Sequence, residues 1–249
     1  MEKGLHIIFV FWRPLSLTNA ARSVGDFHAL RNVLNKRIQD NCFNTKSTFD
    51  FVTDKNFSSS LLNHLLQTLS TLNRSVTCKN AFDSLITRLC NLQRVDDALH
   101  VIEYMIHADA GGCRPSATTF YPVLNILTRQ KAIDHAPHVV DFMSTLGVNM
   151  DLTGHNYFLV AHCFAGDVAA AAGVLKKIEE DGIGADARTF DVLVLGACKV
   201  KKVDGAMMLV RRMVDDGVPI LYSTYMFVIR GLLQMLLSAF WNIRCRFDD

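Results

Sequence analysis

Three glycines set the frame of this chain: Gly147, Gly182 and Gly217 each close an apolar, helix-like run, at intervals of 35 residues, in "STLGVNM", "EEDGIGA" and "VDDGVPI". The letters around them hardly match, so the shared spacing constrains the backbone more than side-chain chemistry. Rows of 35 written from Ala117, Leu152, Ala187 and Tyr222 bring further columns into line. Ala136, Ala171 and Ala206 share one column, and Met143, Ile178 and Met213 share another. Upstream, "FDSLITRLCNLQRVDDALHVIEYM" from Phe82 joins the frame once about three extra residues are allowed in "HADAGGCRPS", and Cys90, Cys163 and Cys198 then coincide.

The first half of each row carries apolar residues at i, i+3, i+4 and i+7, as in Phe82, Leu85, Ile86, Leu89, in Phe120, Val123, Leu124, Leu127 and in Phe190, Leu193, Val194, Ala197. That spacing places four side chains on one stripe of a helix and not on one face of a strand. The second half repeats the device with Val95, Ala98, Leu99, Ile102, Met105 and with Val203, Ala206, Met207, Val210, Met213. A central alanine lets two helix backbones approach closely while longer side chains fill the space on either side. Asp96, Asp97, Asp134 and Asp204 sit where the second helix starts, the end its dipole makes positive. Each glycine then ends that helix, because a residue without a Cβ takes the left-handed conformation cheaply. A lone hairpin cannot bury its own stripe, so the units are expected to stack into an all-α solenoid.

Composition narrows the function classes. A total of 26 Lys and Arg against 24 Asp and Glu gives a net charge of +2, well short of the footprint of a protein that holds nucleic acid by charge alone. The seven cysteines form no CxxC pair and no cysteine–histidine ladder, which argues against a zinc module and a secreted disulfide framework. The apolar runs "HIIFVFW" and "GLLQMLLSAFW" fall short of the ~20 residues of a spanning helix, so no membrane span is expected. His135 and His138 lie a helical turn apart without a carboxylate or cysteine partner, and read as a solvated helix start; no metal or cofactor is expected. His155 and His162 occupy stripe positions and read as inward histidines satisfied by their neighbours, or as an unstable patch, rather than as ligands or acid-base catalysts. No Ser-His-Asp, HExxH or GxSxG arrangement occurs, "DGIGAD" lacks the third glycine of a phosphate loop, and no catalytic residue is expected.

A tandem helix pair of 35 residues, with "LITRLCNLQRVDDALHVIEYM" in one unit and "TFDVLVLGACKVKKVDGAMMLVRRMVDDGV" in another, resembles the pentatricopeptide repeat family. The tetratricopeptide repeat runs at 34 residues and carries a Trp-Leu-Gly-Tyr pattern that is absent here. The resemblance implies a right-handed α-solenoid of helix-turn-helix repeats that binds single-stranded RNA, and not DNA, in mitochondria or, alternatively, chloroplasts. It implies a non-catalytic role in transcript processing, stability or translation. Such repeats read one base per unit through two or three side chains. The fifth and last residues of each unit are the implied readers: Asn156 with Asp186, a pairing that favours uracil in the family, then Asp83 with Ser116, Tyr121 with Asp151, and Asp191 beside Leu221. The second residue sandwiches the base, which points to Thr118, Thr153 and Arg188, with Asn80 and Ser223 in the same column. The thirteenth often meets phosphate, and there Arg129 and Lys199 fit while Asn91 and Phe164 do not. The polar sandwiching column and the near-neutral charge keep open a second use of the same solenoid, as a scaffold for protein partners.

The expected organisation is an array over 79–235, with units 79–116, 117–151, 152–186 and 187–221 and a partial unit 222–235. Residues 26–78 hold "FHALRNVLNKRIQDNCF" and "SSSLLNHLLQTLSTLNR", read as degenerate or capping helices, the second introduced by N-capping serines. Residues 1–25 carry Glu2 against Lys3, Arg13 and Arg22, which suits either a transit peptide or a mobile N-terminus. Residues 236–249 are expected as a divergent tail, the mark of a truncated or alternatively spliced product, since they do not supply the alanine of the shared column, a second stripe or a closing glycine.

Overall fold

A computed structural model of the chain describes residues 27–40, 46–53, 57–72, 75–106, 113–129 and 133–247. The expected transit segment, 1–25, lies outside the described residues. Every regular element among the described residues is helical. The helices fall into two compact units, 1–126 and 127–249.

In the first unit, α1 (Phe27–Gln39) packs against α2 (Ser59–Ser70), and α3 (Ser75–Asn91) pairs with α4 (Val95–Ile106). A short 3-10 turn, Lys46–Phe49, lies against α3. Ser58 caps α2 with its side chain, accepting from the Leu61 N–H at 3.4 Å, the role its serine run suggested. Phe49, Phe51 and Phe57 form an aromatic chain with centroid spacings of 6.0 and 6.3 Å. Arg88 of α3 donates to the backbone carbonyls of Val52 and Asp50, satisfying groups that no helix covers. Cys78 on α3 and Cys113 ahead of helix α5 (Ala117–Arg129) are paired as a disulfide, with Cα atoms 6.3 Å apart. Cysteine spacing alone gave no reason to join them. They stand 35 residues apart, one repeat period, so stacked units bring them together.

The second unit holds the end of α5, a 3-10 turn at Ile133–His135, and the helices α6 (Ala136–Thr145), α7 (Leu152–Ala165), α8 (Val168–Glu180), α9 (Ala187–Lys199), α10 (Val203–Asp215) and α11 (Tyr222–Phe247). Helix α7 pairs with α8 and α9 with α10, while α9 also packs on α7 and on α11. The three periodic glycines behave alike, with φ of 68°, 69° and 67° at Gly147, Gly182 and Gly217. Beyond each, an N–H folds back to the buried residue of the preceding helix: Val148 to Met143 at 2.9 Å, Ile183 to Ile178 at 3.0 Å and Val218 to Met213 at 2.7 Å. This is the Schellman closure that a left-handed glycine permits. The alanine column is buried throughout, at Ala98, Ala136, Ala171 and Ala206.

A second left-handed column lies at the turn inside three of the hairpins, at Gln93, Gly166 and Lys201, with φ of 65°, 77° and 61°. Only one of the three is a glycine, so residue identity concealed it. Successive first helices also meet through small residues. A Cβ on Gly196 of α9 would lie 2.7 Å from the Cys163 Cβ, and one on Gly231 of α11 would lie 3.1 Å from the Cys198 Sγ. Helix α11 runs unbroken to Phe247, well past the 235 expected of the fifth first helix. What is missing after Gly231 is a turn signal, not helix-forming residues.

Candidate nucleic-acid interface

The polar candidates lie on first helices or at their N-caps, and in unit 152–186 the first turn of the next helix links the last residue, Asp186, to the fifth, Asn156. Asp186 caps α9, its Oδ1 accepting from the Thr189 N–H at 2.8 Å. The Thr189 hydroxyl lies 2.8 Å from that oxygen and 3.0 Å from Asn156 Oδ1 on α7. Asn156 and Asp186 are thereby joined through a third residue that the sequence reading passed over. Asn156 is half-buried and Asp186 exposed, so the pair opens to solvent.

One unit later the pattern returns in altered form. Asp191 accepts from Thr224 Oγ1 at 2.7 Å and from Ser223 Oγ at 2.9 Å, which ties α9 to α11 and engages both carboxylate oxygens. Asp151 caps α7 by accepting from the Gly154 N–H at 3.0 Å. In the first unit, Lys79 holds Asp83 Oδ2 at 2.7 Å, while Asp83 Oδ1 is buried without a hydrogen-bond partner. Ser116 and Thr118 share a 2.9 Å hydroxyl contact at the start of α5, and Tyr121 is half-buried on the same helix. Thr153 and Arg188, the other sandwiching candidates, are exposed at the N-termini of α7 and α9.

Of the phosphate candidates, Arg129 is exposed at the end of α5. Lys199 is exposed as well, but its Nζ sits 3.3 Å from the centroid of the Phe164 ring. Phe164 holds the same position one unit earlier and is 62% exposed, so this aromatic seats the lysine instead of a second cation. Column neighbours 35 residues apart carried that signal, since stacked first helices place them side by side.

Burial removes the remaining reactive groups from this surface. The Cys90 thiol is pushed up to about 12 and Cys163 to about 11, and Cys198 is raised too, all by burial. They stay protonated and serve as packing residues. No group of three metal-ligating residues occurs among the described residues, and no described helix is long and apolar enough to cross a membrane. A cleft of about 880 Å³ beside α6 and α8, lined by Val140, Met143, His155, Val174, Lys177 and Asp181, includes none of the reading candidates.

His155 stands where Phe120 and Phe190 stand in other units, and is buried as they are. Its Nε2 lies 3.4 Å from Asp181 Oδ2, in ion-pair range but without hydrogen-bond geometry, and Lys177 holds Asp181 Oδ1 at 2.8 Å. Burial holds the imidazole below its usual 6.5, with Asp181 pulling the other way and Lys177 adding to the lowering. As pH falls the unfolded chain therefore takes the proton first, so this stability is complete above about 6.5 and is lost as pH drops toward the folded-state value. Asp181 is held below its ordinary range, first by the Lys177 hydrogen bond, and titrates outside this window. His155→Phe is expected to flatten the stability loss between pH 7 and pH 5, as urea midpoints at the two values will show.

Comparison with known proteins settles the ancestry of these hairpins. A family model described as pentatricopeptide repeat-containing protein matches residues 55–178, and the PPR repeat model matches residues 188–218. The chain belongs to the pentatricopeptide repeat family. A pentatricopeptide repeat-containing protein of Arabidopsis thaliana, named as mitochondrial, is 43% identical over 164 residues, covering 66% of this chain and 46% of that protein. A second, also named as mitochondrial, is 47% identical over 114 residues, covering 46% of this chain and 32% of that one. The chain thus spans less than half the length of either relative. Among solved structures, the pentatricopeptide repeat protein PPR10 from maize superposes with a TM-score of 0.54 at 16% identity, over 92% of this chain and 40% of that one. The same protein in complex with an 18-nt psaJ RNA element gives a TM-score of 0.53 at 16% identity, over 94% and 35%. These likenesses give the pentatricopeptide repeat fold: repeated hairpins whose first helices stack on one another, as α7, α9 and α11 do here.

Proposed function

We propose that the chain binds single-stranded RNA in mitochondria as a non-catalytic factor in transcript processing, stability or translation. The carrying observation is the polar ladder along consecutive first helices, in which Asn156 meets Thr189 and Asp191 meets Thr224, each 33 residues on. A polar rung repeated at the repeat spacing suits a ligand that is itself a linear polymer of hydrogen-bonding units, one base per repeat. Family membership, the RNA held by the maize protein and the mitochondrial naming of the Arabidopsis relatives support the same reading. Asn156 and Asp186 are assigned to base contact, and Arg129 and Lys199 to phosphate.

The salt dependence of binding tests this. Two phosphate contacts on a single strand give a slope of log Kobs against log salt of about −1.4, or about sevenfold weaker binding at 200 mM than at 50 mM. Lys199→Ala is expected to weaken binding to all RNAs alike and to bring the slope to about −0.7. Titrations of the purified chain against a fluorescent randomised RNA supply both numbers. RNA binding that is absent or indifferent to salt, with a stable protein partner recovered from cells, would favour the scaffold reading instead.

A further inference from the structure

Thr189 is fully buried, and its hydroxyl stands between two oxygens, Asp186 Oδ1 at 2.8 Å and Asn156 Oδ1 at 3.0 Å. A hydroxyl carries one hydrogen, so both acceptors cannot have it. The ionised carboxylate is the stronger claimant. The two ends of an amide have nearly the same shape, so Asn156 can turn over and donate from Nδ2 to the Thr189 oxygen with no change in packing. All three groups are then satisfied in one directional chain, Asn156 Nδ2–H to Thr189 Oγ1–H to Asp186 Oδ1.

We propose that Thr189 is the positioning residue of the Asn156 and Asp186 pair, locking both side chains into one hydrogen-bond polarity; this rests on the reading that the pair contacts a base. In that state Asp186 Oδ2 remains an acceptor, and Asn156 presents its carbonyl oxygen and its second N–H. The arrangement fits an imino N–H beside a carbonyl, the edge that uracil and guanine offer and that cytosine and adenine lack. Neighbouring units do not build the same relay. Gly154 occupies the corresponding position in the preceding unit and has no hydroxyl. In the following unit Asp191 receives two hydroxyls and cannot pass a hydrogen on, and Leu221 replaces the terminal acidic residue. Among these three consecutive units only 152–186 builds the relay, so strong base discrimination is expected there and not in its two neighbours.

The test uses the whole chain with Thr189→Val, which keeps shape and removes the hydroxyl, and Thr189→Ser, which keeps the hydroxyl. In the free protein, one Asn156 side-chain N–H is expected to exchange slowly in the wild type and in the serine variant, and quickly in the valine variant. Against oligonucleotides differing at a single base, the wild type is expected to prefer uracil and guanine roughly tenfold. Thr189→Val should bring that ratio below about twofold while leaving the salt slope unaltered, and Thr189→Ser should restore it. A valine variant that melts like wild type and keeps the preference overturns the positioning role. Unprotected Asn156 amide protons in the wild type overturn the relay even if Thr189→Val does not fold. A wild-type preference that survives Asn156→Ala, or none at all, overturns the base-contact reading and the relay with it.

Discussion

Replacing Phe190 with alanine is expected to lower the unfolding free energy by roughly 3–5 kcal/mol, the cost of emptying a fully buried aromatic site. The ring is 1% exposed, under α10, whose Arg212 guanidinium lies 5.9 Å from its centroid. Tyr225 holds the same column one repeat later and is 52% exposed. Tyr225→Ala is expected to cost only about 1 kcal/mol, since roughly half of its transfer free energy is at stake. Urea denaturation of the two variants decides the point, and equal losses would show that the column does not mark equivalent places. The contrast extends along the helix. Val194 is buried in α9, whereas Ile229, its counterpart in α11, is 48% exposed; Cys198 is 7% exposed and its counterpart Leu233 is 53% exposed. The second helix that covers α9 has no equivalent over α11 among the described residues.

The second large effect is expected at Gly196. Its Cβ position falls 2.6 Å from Cys163 Sγ, 2.7 Å from Cβ and 3.3 Å from Cα. The sulfur can rotate away, but the Cβ and Cα move only with α7 itself. Gly196→Val should therefore push α9 off α7 and cost about 3 kcal/mol, the upper end of the range for overpacking. Gly173 of α8 has nothing within 4 Å of its Cβ position, so Gly173→Ala should instead gain up to about 1 kcal/mol from helix propensity. Opposite signs from two glycine substitutions in adjacent hairpins, measured as shifts in denaturation midpoint, would confirm that the helix seam is the cause. A tolerated valine would show that the seam is looser than its geometry.

What could be read from the sequence was whatever repeats in residue type. The glycine closures and the alanine column each require one kind of side chain at one place, and the stripes begun by Phe120 and Phe190 keep helical spacing, so the letters display the structure. Gln93 and Lys201 were hidden because a left-handed turn residue need not be glycine when neighbouring contacts hold it. Gly196 looked like an ordinary weak helix position, since the approach of α7 to α9 depends on how two helices cross and not on either alone. Thr189 was missed for a related reason. Its partners are three and thirty-three residues away, and only stacking brings the second within reach. Resemblance named Asn156 and Asp186 as a pair, but the group between them emerged from the geometry. Lys199 was legible as a cation, and its seat on Phe164 was not.

The close seam between first helices also gives this molecule internal reporters. Cys163 sits under Gly196, 6% exposed, with its acidity suppressed by burial. An alkylating reagent can reach that sulfur as thiolate only in molecules whose adjacent repeats have momentarily parted. The labelling rate at Cys163 is thus a clock for the opening of one repeat junction, and Cys198 beneath Gly231 keeps time for the next.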